Sequence, residues 1–188
     1  IAKTLQYGSA EMALSNAKLA VVEAKKLGID ITNMRETLKK AKSSFDLERY
    51  KETFDLSVAA QSEASRMMSL RTEAYNTITQ TAAMVAEAKK NNADVEKVMA
   101  KLLGAKTSFE RFDYKSSIEQ ANQARTDTEA LMNLYNSANI LLRFREDVTL
   151  LQTLKIEGLE AYVKKAEDAK NFLKNKDYES AQTILSAP

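Results

Sequence analysis

A chain of 188 residues with four glycines, one proline and no tryptophan has too few breakers to close a turn-rich β architecture. The absence of cysteine and histidine excludes disulfides, removes the usual ligands of zinc and most transition metals, and takes away the commonest general base. Charged residues make up 29% of the chain, yet the net formal charge is +2 and the two signs are interleaved, the pattern of a solvated helical surface rather than a nucleic-acid footprint.

The sequence repeats with a constant offset of 64 residues. Glu23-Ala24-Lys25-Lys26 returns as Glu87-Ala88-Lys89-Lys90, Ala41-Lys42 as Ala105-Lys106 and Ala169-Lys170, and Tyr50 as Tyr114 and Tyr178. Residues 21–68 and 85–132 are identical at fifteen of forty-eight positions. An offset held without gaps marks a unit copied in tandem. The predicted division is 1–68, 69–132 and 133–188, the third copy having a diverged first helix. A unit of this size buries little apolar area alone, and stacking copies supplies the missing burial.

In the first copy, Ala13, Ala17, Ala20, Ala24 and Leu27 are spaced four, three, four and three, an apolar stripe along one helical face. Gly28, matched by Asn92, stands where a residue in left-handed conformation would end that helix. Asp30 and Asp94 are placed to accept a backbone N–H and cap the second helix. That helix carries Met34, Leu38, Ala41 and Phe45; the later copies give Val98, Leu102, Ala105, Phe109 and then Tyr162, Ala166, Ala169, Leu173. The three sets superpose, so this face is expected to be buried in every copy.

A short corner follows in each copy and leads into the repeated tyrosine. Phe45/Tyr50, Phe109/Tyr114 and Leu173/Tyr178 read as clasps that pack the start of one helix on the end of the previous one. From Leu47 to Lys90 there is no glycine or proline, which predicts one helix of roughly 40 to 45 residues, about 65 Å long at the α-helical rise. It would be the last helix of one unit and the first of the next. The same holds from Tyr114 to Leu154, with Tyr135–Asn139 as the place for a kink or break.

The predicted fold is all-α: tandem antiparallel three-helix bundles sharing long continuous helices, drawn out into an elongated rod. Each copy would add about 30 Å and the whole about 90 to 100 Å. The shared-helix topology over Leu47–Lys90 and Tyr114–Leu154 resembles spectrin-like repeats in architecture, a likeness that carries no functional residues onto this chain. Two other all-α readings compete with it. A tetratricopeptide array repeats near 34 residues with a proline ending each unit, whereas a 32-residue offset superposes nothing here and no internal proline exists. A single four-helix-bundle sensor is the other.

Candidate chemistry is sparse. Glu157 and Glu160 share a helical face and Glu63 and Asp127 are repeat-equivalent, but nothing points to a cleft between such carboxylates. Arg143-Phe144-Arg145-Glu146-Asp147 is the densest charge cluster, and it falls where the third copy departs from the repeat. Arg143 and Arg145 are therefore the candidate partner contacts, against a plainer role in pairing along an exposed helix. Met67, Met68 and Met84 fit either an adaptable surface or core filling. No glycine-rich loop offers a phosphate cradle. No apolar run approaches the roughly 18 to 20 residues that span a bilayer.

These features predict a non-enzymatic spacer or scaffold module, with no cofactor and no metal, that holds flanking parts of a larger protein apart. The alternative is a helical protein-binding or sensor domain using the diverged region 136–156. The expected partners are proteins or flanking domains, with a homo-oligomer also possible; nucleic acid and membrane insertion are not expected. The start at Ile1-Ala2-Lys3-Thr4, without methionine, reads as a piece of a longer or processed chain, and the compartment is left open.

Overall fold

The computed structural model describes the backbone of residues 2–153, 160–175 and 177–186, and the side chains of these except 2, 3, 151, 152, 178, 179 and 186. The described chain is all-helical, without strands: α1 (Ala2–Lys26), α2 (Thr32–Asp46), α3 (Tyr50–Lys90), α4 (Glu96–Glu110), α5 (Tyr114–Thr153), α6 (Glu160–Lys174) and α7 (Tyr178–Ser186). Among the described residues, no helix is long and apolar enough to cross a membrane.

The boundaries keep the period of the sequence. The fifteen-residue helices α2 and α4 begin at Thr32 and Glu96, and α6 is described over Glu160–Lys174. The helices after them begin at the three repeated tyrosines. α3 runs for 41 residues and α5 for 40 without a break. The break expected at Tyr135–Asn139 is absent. Asn136 and Asn139 are weak helix formers, but neither glycine nor proline interrupts the backbone ladder there.

The C-terminal ends of α1, α2, α3 and α4 are built from one device. Gly28 has φ +76°, its N–H donates to the Lys25 carbonyl, and the Ile29 N–H reaches back to Ala24. This is the Schellman pattern, which satisfies the last carbonyls of a helix. Asn92, Glu48 and Phe112 repeat it at φ 60°, 57° and 63°. Glycine and asparagine take this conformation readily, whereas a side chain as large as Phe112 or Glu48 costs about 1 kcal/mol there. Neither residue announces a left-handed turn in the sequence.

Helix starts differ from copy to copy. Asp113 Oδ1 accepts the Ser116 N–H at 3.1 Å and Asp177 Oδ1 accepts the Ser180 N–H at 3.2 Å, so both aspartates cap the helices that follow. Arg49 stands in their place before α3. Asp30 Oδ1 accepts the Thr32 N–H at 3.0 Å, and Asp94 Oδ1 accepts the Glu96 N–H at 3.2 Å. Asp30 stands one residue ahead of the capping position, held by Ile31. Its carboxyl lies below the usual range because the Thr32 hydroxyl and N–H both donate to it.

The chain divides into two compact units. One comprises residues 1–80 and 103–121, the other 81–102 and 122–188, so α3, α4 and α5 each give segments to both. In the first, α1 buries Ala10, Ala13, Leu14, Ala17, Val21 and Ala24, and α3 turns in Thr53, Ser57, Ala60 and Ala64. Such small side chains allow helix axes to approach closely. A larger cluster joins Val21, Ile29, Met34, Ala64, Ala74 and Tyr114, with Leu38, Met67, Met68, Phe109 and Ile118 packed against it. Met67 and Met68 thus pack on the core.

The second unit buries Val85, Ala88, Val95, Val98 and Leu102 with Ala124, Thr128, Val148, Ala169, Ala181 and Leu185. A Lys101–Asp127 ion pair ties α4 to α5 within it. Two expected core positions lie outside any core. Leu27, at the last turn of α1, is 42% exposed, because the left-handed turn at Gly28 swings the chain away and Val21 and Ala24 supply the inward face. Tyr162 is also 42% exposed: at its place in the third copy the ring stands against Phe144 and Lys165 rather than in a core.

Candidate functional site

The repeated clasp residues come together where they are described. Phe45 and Tyr50 have ring centroids 5.8 Å apart, and Phe109 and Tyr114 5.3 Å, both edge-on. Leu173 is half-buried on α6, and the side chain of Tyr178 lies outside the described residues. These contacts close helical corners.

The carboxylates are paired or solvated. Glu63 receives two hydrogen bonds from Arg66, at 2.7 and 2.8 Å, which hold its carboxyl below the usual range and leave the guanidinium strongly protonated. Asp127, its repeat equivalent, pairs with Lys101 instead. Glu160 is exposed, and Glu157 lies outside the described residues. No cluster of three or more potential metal-ligating side chains occurs among the described residues.

A groove of about 360 Å³ lies between the C-terminal part of α5 and α6, both in the second unit. Leu141, Arg145, Val148 and Thr149 line it from α5. Val163, Ala166, Glu167 and Lys170 line it from α6. The spacing four, three and one on α5, with three, one and three on α6, puts each set on one helical face. The floor is aliphatic: Val148 is 9% exposed, and Leu141, Val163 and Ala166 are half-buried. Arg145, Glu167 and Lys170 are exposed at its rim.

Arg143 and Arg145 therefore part company. Both are exposed, but only Arg145 reaches the groove, because two residues along a helix turn the side chain by about 200°. Arg145 also borders a shallower hollow with Leu142, Glu146, Thr149, Leu150 and Thr153. Arg145 is exposed and makes no ion pair with a described residue. The Thr149 hydroxyl donates to the Arg145 carbonyl at 2.8 Å and is thereby occupied. Phe144 lies beside the groove and its ring centre is 6.4 Å from that of Tyr162 on α6, and Lys165 Nζ lies 5.5 Å from the Tyr162 ring centre.

Chemically the groove can hold an apolar side chain on its floor and an anionic group at Arg145 or Lys170. It aligns no nucleophile with a base. Sequence reasoning found Arg145 through charge density and placed Ala166 on a face expected to be buried, but it did not single out Val163 or Lys170 as site residues, since their spacing resembles that of any buried or solvated helical face. A second groove, of about 350 Å³, lies in the first unit between Leu5, Gln6 and Ser9 of α1 and Tyr50, Lys51 and Phe54 of α3. Comparison with known protein families, with curated proteins and with solved structures finds no match to this chain.

Proposed function

We propose that the chain is a non-enzymatic spacer: tandem three-helix units, spectrin-like in their sharing of helices, that hold flanking parts of a larger protein apart. One observation carries the reading. α3 begins at the clasp of the first copy and continues unbroken for 41 residues to the left-handed turn at Asn92 that ends the first helix of the second. A continuous hydrogen-bonded backbone between copies resists bending where an irregular linker would yield. The recurrence of the corners at Glu48 and Phe112, and of the turns at Gly28 and Asn92, supports copies of one unit. Small-angle X-ray scattering tests this: an elongated particle is expected, and a radius of gyration near 16 to 18 Å, that of a compact chain of this length, overturns it.

The α5–α6 groove favours a second reading, a docking module using 136–156, because Leu141, Arg145, Val148 and Thr149 all fall in that stretch. Partner recovery should then drop with Arg145→Glu and persist with Arg143→Glu, which lies off the groove. Equal recovery by both variants removes this reading.

A further inference from the structure

α1 carries two stripes. The inner one, Ala10, Ala13, Ala17, Val21 and Ala24, is buried. On the outer side Leu5, Met12 and Leu19 are 68%, 66% and 65% exposed, and Val22 is 49% exposed. Leu5, Met12 and Leu19 are spaced by sevens, and Gly8, Ser15 and Val22 fall three residues after each. These are the two seam positions of a heptad repeat. The seam is open: a β-carbon placed on Gly8 would meet nothing within 4 Å, and Ser15 is exposed.

The fold itself does not require this outer stripe. Sixty-four residues later the same positions are Ser69, Thr72, Asn76, Thr79, Ala83 and Ala86, all exposed and none a large apolar residue. A single exposed leucine is ordinary, but an aligned row of large apolar side chains marks a surface that is covered.

The flanking charges identify what covers it. Glu11 and Lys18 each precede a seam position and are exposed. Glu11 accepts only a long 3.4 Å hydrogen bond from the Tyr7 hydroxyl, and Lys18 has no ion pair among the described residues. If a second α1 is laid antiparallel, Leu5 layers with Val22, Met12 with Ser15 and Leu19 with Gly8. Each Glu11 then faces Lys18 of the second copy, twice by symmetry. Every layer sets a larger side chain against a smaller one, which fills space without voids. Parallel pairing instead sets Gly8 against Gly8 and Ser15 against Ser15, leaving gaps beside crowded Leu5 and Leu19 layers.

We infer that α1 is a self-complementary dimerisation helix, docking antiparallel on α1 of a second copy of this chain through Leu5, Met12, Leu19 and Val22, with paired Glu11–Lys18 contacts at its edge. The contact is isologous and closes on itself.

Sedimentation equilibrium at micromolar to ~100 µM protein should find a species of twice the 21.0 kDa chain mass. Lys18→Glu sets like charges together twice and should weaken association at least tenfold; adding Glu11→Lys to it should restore the dimer. Met12→Asp should give a monomer of unchanged helicity, since the residue is outside every core. The chain has no cysteine, so single cysteines report geometry cleanly. Ser15→Cys should be joined to its copy by a short bismaleimide. Leu5→Cys should not, because its two copies would lie about 25 Å apart along the helices. A monomer throughout the range, a dimer indifferent to Lys18→Glu, or efficient cross-linking of Leu5→Cys overturns the proposal.

Discussion

The corner between α2 and α3 and the corner between α4 and α5 share a sequence pattern but not surroundings. Both turn through a left-handed residue, Glu48 or Phe112, and both set a phenylalanine edge-on to a tyrosine. At the first, Tyr7 completes a triangle of rings, 5.3 Å from Phe45 and 5.6 Å from Tyr50. At the second, the residue 64 positions after Tyr7 is Arg71, whose guanidinium lies 5.6 Å from the Phe109 ring centre. An aromatic ring packs on the face or edge of a phenyl group and a planar cation on its electron-rich face, so the contact persists while the residue type changes. The larger difference is burial. Tyr50 is half-buried, whereas Tyr114 is 3% exposed and shares a core with Ile29 and Met34. The clasp is a local device; its energetic weight comes from the other helices that reach it.

Truncation should separate the two corners most widely. Tyr114→Ala should destabilise the first unit by about 3 to 4 kcal/mol, and Tyr50→Ala by about 1 to 2, because only the former opens a cavity inside a closed core. Urea denaturation followed by circular dichroism measures both, and equal losses would show that the corners are energetically alike. Phe112→Gly removes left-handed strain at a half-exposed ring and should stabilise by about 0.5 to 1 kcal/mol, read as a raised Tm. Any loss there would mean that the ring contributes packing beyond its corner.

Capping sharpens the same contrast. Asp113→Ala should cost about 1 kcal/mol, while Arg49→Asp should give α3 the cap that α5 has and add about 0.5 kcal/mol at the other corner. The exposed Arg49–Glu52 pair lost in that exchange contributes little. The smallest expected effect is on pH dependence. Burial raises the Tyr114 hydroxyl above its ordinary range, against an opposing pull from Arg71. The folded state therefore keeps the phenol proton where the unfolded chain has lost it. The stabilisation is complete below the ordinary tyrosine value near 10 and is lost as pH rises through the higher folded value. Tyr114→Phe should flatten the fall in stability above about pH 10, and a wild-type slope in that variant would assign the titration elsewhere.

Much of the local structure can be read from the chain alone. Four glycines and a single terminal proline leave no stop signal inside α3, so its length follows from composition. Gly28 and Asn92 mark their turns because few residues tolerate positive φ, and the paired aromatics mark the corners because they recur at a constant offset. The left-handed Glu48 and Phe112 could not be read this way: nothing in their side chains favours that backbone, which is imposed by the helices on either side. Leu27 and Tyr162 carry the right periodicity and still lie outside any core, since periodicity states which face a residue shares but not whether another element arrives to cover it.

The candidate site divides in the same way. Charge density drew attention to Arg143 and Arg145, but helical phase and the approach of α6 decided that only Arg145 borders the groove. Short-range backbone preferences and side-chain spacing thus determined helices, turns and clasps from the sequence by itself. Which apolar faces are buried, and which are left open on α1 and between α5 and α6, was decided by tertiary structure, because burial depends on where residues distant in the chain come to rest.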